Sequence, residues 1–145
     1  MSLTNLYREV ILDHYRNPRN RGSLPEPDAH GEGHNPLCGD EIAIDLRVTD
    51  GVVSAVGITG QGCSISQASA SMMSEAILGK TLGQIKEVSE TFNSLMTSDE
   101  VTIDPERPGS VLGDLESLQG VREFPVRIKC AVLGWHTMLE ALEAQ

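Results

Sequence analysis

An α+β fold, with antiparallel strands grouped in one stretch and helices in others, follows from three observations. Apolar residues recur at helical spacing near the N-terminus, an Asp-Gly turn joins two alternating segments, and the second half holds helical stretches with start and stop signals. From Asn5 to about Asn17, Leu6, Val10, Ile11 and His14 form an apolar stripe between Arg8, Glu9 and Asp13, and Pro18 ends the helix. His14 lies on the apolar side, the place of a satisfied structural histidine.

The Pro/Gly-rich run from Gly22 to Gly39 reads mostly as loop, with a short strand near Ala29 to His34. Glu41 to Val48 then alternates Ile42, Ile44, Leu46 and Val48 with polar or small residues. Asp50-Gly51 turns the chain into Val52 to Thr59, giving an antiparallel hairpin with one buried face. Gly57, Gly60 and Gly62 do not make a dinucleotide fingerprint, because the third glycine after Gly60-Gln61-Gly62 is missing and the strand belongs to a hairpin. They read instead as freedom for a tight turn into Cys63.

Ser64 and Ser66 are the expected N-caps of a small-residue helix running to about Leu78 and stopped by Gly79. Thr81 caps the next helix, Leu82 to Met96, whose stripe is Leu82, Ile85, Val88, Phe92 and Met96. Thr97 to Gly113, acidic and containing Pro105, Pro108 and Gly109, reads as a solvated loop before a short helical turn at Asp114 to Leu118. Pro125 precedes a segment that brings in Cys130 and continues as a helix to about Glu143. On it, His136 reads as solvent-facing or packed.

A chain of 145 residues makes one domain, 1–145, with a sizeable core. Its 11 basic and 21 acidic residues leave a formal charge of −10, which repels nucleic acid. Arg16, Arg19 and Arg21, and Arg122, Arg127 and Lys129, are local basic patches suited to docking. Charged Arg8, Glu9 and Asp13 stand where a signal peptide would be apolar, and the uncharged stretch Gly51 to Ser74 reads as too interrupted by Gly, Ser, Thr and Gln to span a membrane. Three cysteines, an odd number at low density, point to reduced thiols in the cytoplasm.

Those cysteines carry the chemistry. Cys38 stands in Cys38-Gly39-Asp40, Cys63 follows Gly60-Gln61-Gly62, and Cys130 follows Pro125-Val126-Arg127-Ile128-Lys129. Three soft thiolates and the Asp40 oxygen make four ligands, which suits tetrahedral Zn²⁺ or an iron–sulfur cluster. The thiols are separated by 25 and 67 residues, so the same pattern also suits free cysteines packed as small apolar side chains, or a zinc that only staples the fold. Cys63 and Cys130 are both expected at helix N-termini, where the dipole favours thiolates. Arg127 and Lys129 would temper the negative charge of a four-anion site.

Cys-Gly-Asp, Gly-Cys-Ser-Ile-Ser before a Ser/Ala-rich helix, and Pro-Val-Arg-Ile-Lys-Cys resemble the iron–sulfur cluster assembly scaffold family of the IscU, SufU and NifU N-terminal type. The resemblance runs from the first helix through Asn17-Pro18-Arg19-Asn20 to the last. It implies a small three-stranded antiparallel sheet packed against several helices, with the metal site at one end. Lys129 stands where IscU-type scaffolds carry a histidine, and the chain has an insertion before Val121; both match the SufU branch.

That branch implies a zinc-dependent sulfurtransferase with Cys38, Asp40, Cys63 and Cys130 as zinc ligands. Cys38 would be the acceptor, freed from zinc by a histidine of a SufS-type cysteine desulfurase to take its persulfide sulfur. Arg127 is implied as a docking or supporting residue, and downstream iron–sulfur assembly proteins as later partners. The alternative is a scaffold that assembles a [2Fe–2S] cluster on the same ligands and passes it to apo-proteins.

Overall fold

In the computed structural model, residues 3–98, 106–107 and 109–144 are described. Helix α1 (Leu3–Arg16) is followed by strands β1 (Ala29–Asn35), β2 (Asp40–Thr49) and β3 (Val52–Gln61). Helices α2 (Ser64–Ile77) and α3 (Leu82–Thr97), a 3₁₀ run (Gly113–Glu123) and α4 (Pro125–Glu143) complete the order. The sheet is antiparallel in the order β1-β2-β3, so the expected fold class holds.

The Asp50-Gly51 turn forms as predicted, with both residues at positive φ, +53° and +78°. Ile42, Ile44 and Leu46 then face the helices and are buried. On the opposite face the segment read as loop has a structural task. Asn20 and Gly22 hydrogen-bond Ile58 along the free edge of β3, and the Leu24 N–H donates to buried Asp45 at 3.0 Å. The exposed edge is thereby covered.

Helix α4 lies directly on β1 and β2. That approach requires Gly31 and Gly33, since a Cβ at either would overlap Thr137 of α4. Trp135 stacks on Phe92 of α3 at 5.3 Å between ring centroids, joining the helical layer to the core of Met73, Ile77, Leu95 and Met138.

Several boundaries differ from expectation. Thr81 does cap α3, in a reciprocal capping box with Gln84 at 3.2 and 2.9 Å. The N-cap of α2, however, is Cys63 with no side-chain cap, and Ser64 and Ser66 are already helical. The turn at Asp114 to Leu118 is the start of a longer 3₁₀ run, in which Leu115, Leu118 and Val121 are buried at the three-residue period of that helix.

Of the acidic stretch Thr97 to Gly113, residues 99–105 and 108 lie outside the described residues. Its last part is exposed, as expected, and is also anchored: the fully buried Glu116 carboxylate accepts from the N–H groups of Gly109, Val111 and Leu112 at 2.7–2.9 Å. Among the described residues no helix is long and apolar enough to cross a membrane.

Candidate metal centre

The tight turn between β1 and β2 carries the first thiol. Asn35 ends β1, and its carbonyl and side-chain oxygens accept from the N–H groups of Cys38 (3.3 Å) and Leu37 (3.2 Å). Gly39, at φ +68°, reverses the chain into Asp40, the first residue of β2. Cys38 is thus partly exposed while Asp40 is buried.

The second thiol arrives from the end of β3. Cys63 caps α2, and its N–H donates to Asp40 Oδ1 at 2.8 Å, with Cys63 Sγ 3.9 Å from Asp40 Oδ2. Gly62 makes this possible, because a Cβ there would collide with Asp40 Oδ1. The expectation that these glycines free Cys63 is met at Gly62, though what it permits is the approach of the carboxylate.

Cys130 completes the set from within α4. Its Sγ lies 2.8 Å from Cys38 Sγ, longer than a disulfide bond, and all three cysteines are free. The donor atoms of Cys38, Asp40 and Cys130 fall within 4.8 Å of one another, with Cys63 beside Asp40. All four predicted ligands therefore converge.

One expectation about them fails. Cys130 is not at a helix N-terminus: α4 already begins at Pro125, which is well suited to a first helical turn because it needs no N–H partner there. Cys130 is consequently fully buried. Burial pushes its thiol well above the ordinary range, aided by hydrogen bonds with Cys38, Asp40 and Cys63.

Arg127 supplies the positive charge. Its electrostatic interaction and hydrogen bond with Cys63, and then its interactions with Cys38 and Cys130, raise the pKa of this exposed guanidinium further. Lys129 is exposed, and among the described residues it makes no hydrogen bond or ion pair with the four donors. Asn35 is the residue that sequence reasoning missed: its Nδ2 points at Cys130 Sγ at 3.6 Å. The Asn35-Pro36 pair, a turn-opening signal directly before the first thiol, was the available clue.

The donor set fits a thiophilic divalent cation. Three thiols surround a buried carboxylate, one oxygen of which has no N–H partner among the described residues and faces sulfur instead. A cation offsets the burial cost of such a group and the raised Cys130 thiol together.

A profile of the NifU-like N-terminal domain matches residues 6–131, most of the chain. The chain belongs to the NifU-like N-terminal domain family. Relatives of this NifU-like chain include the zinc-dependent sulfurtransferase SufU of Bacillus subtilis, 44% identical over 139 residues (94% of this chain, 89% of the relative). The scaffold protein IscU of Thermotoga maritima is 36% identical over 138 residues (95% and 93%). Among solved structures, a putative iron–sulfur cluster assembly scaffold protein for the SUF system from Fervidobacterium islandicum superposes with a TM-score of 0.81 at 31% identity, covering 92% of this chain and 94% of that one.

Around the NifU-like centre the surface is apolar. Leu37, Phe124 and Val126 are 65%, 60% and 54% exposed, and a groove of about 710 Å³ runs past Ile11, Ile65, Val121 and Phe124 to Arg127. Such a rim suits contact with another protein.

Proposed function

We propose that this chain is a zinc-dependent sulfur carrier of iron–sulfur cluster biogenesis, a single cytoplasmic domain that accepts persulfide sulfur from a SufS-type cysteine desulfurase through Cys38. The observation that carries this reading is the placement of the converging thiols: Cys130 is buried, Cys63 and Cys38 are partly exposed, and of these two only Cys38 sits on a turn, beside the exposed Leu37, while Cys63 is tied to Asp40 at the start of α2. Cys38, Asp40, Cys63 and Cys130 would hold Zn²⁺, which when bound keeps thiols deprotonated.

The transfer is a thiol exchange. The Cys38 thiolate attacks the terminal sulfur of the donor's persulfide, a new S–S bond forms on Cys38, the donor's S–S bond breaks, and the donor cysteine leaves as thiolate. Arg127 faces the negative charge that accumulates there, and Leu37, Phe124 and Val126 offer the docking rim. The Cys38 persulfide then passes to downstream iron–sulfur assembly proteins.

Similarity to IscU relatives favours a second reading, assembly of a [2Fe–2S] cluster on the same ligands. Desulfurase turnover separates the two. The zinc-loaded protein is expected to stimulate alanine release by a SufS-type enzyme and Cys38→Ala is not; full stimulation by that variant contradicts the assigned role. A stable, transferable cluster after anaerobic reconstitution, with zinc inhibitory, supports the scaffold instead.

A further inference from the structure

A second group of metal-ligating side chains lies at the far end of α2 from Cys63. Glu75 lies eleven helical steps beyond Ser64, about 17 Å at the α-helical rise, so this cluster is distinct from the cysteine centre. His14 comes from α1, Glu75 from α2 and Asp114 from the 3₁₀ run. We propose that these three residues form a second cation site, taking a divalent first-row transition metal ion through one imidazole nitrogen and two carboxylate oxygens.

The spacing matches first-contact ligands. His14 Nε2 lies 2.9 Å from Asp114 Oδ2 and 3.8 Å from Glu75 Oε1, and all three donors fall within 4.8 Å of one another. Bonds of about 2.0–2.2 Å at tetrahedral or octahedral angles place neighbouring ligand atoms about 2.8–3.6 Å apart. The His14–Asp114 distance falls within that range and the His14–Glu75 distance just above it, so an ion needs only small movements of the two carboxylates, whose side chains are about half exposed.

The imidazole is held for the purpose. His14 is fully buried, and its Nδ1 lies 2.8 Å from Ser71 Oγ, which already accepts the Arg19 N–H at 2.9 Å. The 2.9 Å contact to Asp114 is a hydrogen bond donated by Nε2–H, because a carboxylate only accepts; a bound ion would take the place of that proton, and the ring would then donate Nδ1–H to the remaining lone pair of Ser71 Oγ. Of the neighbouring cations, Arg19 has its Nε 3.8 Å from Glu75, but its terminal nitrogen is drawn 2.5 Å from Asp13.

Donor chemistry sets the class of ion. One imidazole with two carboxylates suits Zn²⁺, Co²⁺ or Mn²⁺ better than Mg²⁺ or Ca²⁺, which take oxygen shells, and lacks the thiols that select soft ions. The exposed side of the cluster leaves room for water ligands, and a bound ion would tie α1, α2 and the 3₁₀ run together.

The test uses the full chain loaded with one equivalent of Zn²⁺ and titrated with Co²⁺ by equilibrium dialysis and absorption spectroscopy. The proposal expects one further Co²⁺ per chain, weak d–d bands and no sulfur-to-cobalt charge-transfer band, with Asp114→Asn and Glu75→Gln each weakening binding at least tenfold. Both altered side chains are partly exposed, and a metal-free melting curve checks that each variant folds. No second equivalent at millimolar Co²⁺, a charge-transfer band, or binding unchanged in both variants overturns the site and leaves the cluster as a hydrogen-bonded strut.

Discussion

The two ends of α2 differ in what they hold and in how they hold it. At its start, Cys63 joins Cys38, Asp40 and Cys130, a sulfur-rich set built from a turn, a strand end, a helix cap and a helix interior, with Arg127 reaching in from outside. Toward its end, Glu75 joins a buried imidazole and Asp114, a nitrogen and oxygen set braced by Ser71. At the first end the partly exposed groups are thiols, of which Cys38 is the proposed nucleophile; at the second the exposed groups are carboxylates. One helix thus carries a sulfur-rich group of donor atoms at its start and a nitrogen and oxygen group toward its end.

Replacing one oxygen donor at each end breaks the comparison most sharply. Asp40→Ala is expected to lower zinc affinity by about 100-fold or more, read by competition with a chelator, because it removes a buried anionic ligand. Glu75→Ala should leave the first zinc equivalent in place. Equal losses would mean that the two ends are not separate.

Next in size is steric. Gly62→Ala forces a Cβ against Asp40 Oδ1 and is expected to cost about 1–3 kcal/mol in urea unfolding while also weakening zinc binding. Gly120→Ala, with open space around the added carbon, is the matched control and should change neither.

The smallest effect lies on the sheet, away from both ends. His30 is hydrogen-bonded to Asp45 and Glu32, which raises its pKa. Burial acts to raise the Asp45 pKa, but His30 and the Leu24 N–H together hold it below the ordinary value. The raised histidine contributes stability below about pH 6.5 that is lost as pH climbs through its folded value. The depressed aspartate contributes above about pH 4, and this is lost as pH falls through its folded value. Because His30 is half exposed, the pair is worth about 0.5 kcal/mol or less. Melting curves of His30→Gln against the parent should therefore differ between about pH 4 and 6.5 and converge once the pH has passed the raised His30 value.

What could be read in the chain was local or chemical. The Asp50-Gly51 hairpin, the Thr81 capping box and the stop at Gly79 are decided by a few adjacent residues, and each appears where the sequence places it. The four donors were legible by residue type, yet their convergence was not legible by spacing, since Cys130 reaches Cys38 only because glycines 31 and 33 let α4 lie flat on β1. The start of α4 was misplaced because Pro125 serves as an opening residue rather than as a break. His14 reads as structural from its stripe, and only the folded chain brings Glu75 and Asp114 to it.

Zinc K-edge X-ray absorption on protein purified without added metal tests the central claim most directly. The account predicts about one zinc per chain with a shell of three sulfurs and one oxygen, falling to two sulfurs in Cys38→Ala. A shell of nitrogen and oxygen alone, or a sulfur count unchanged by that substitution, would contradict it.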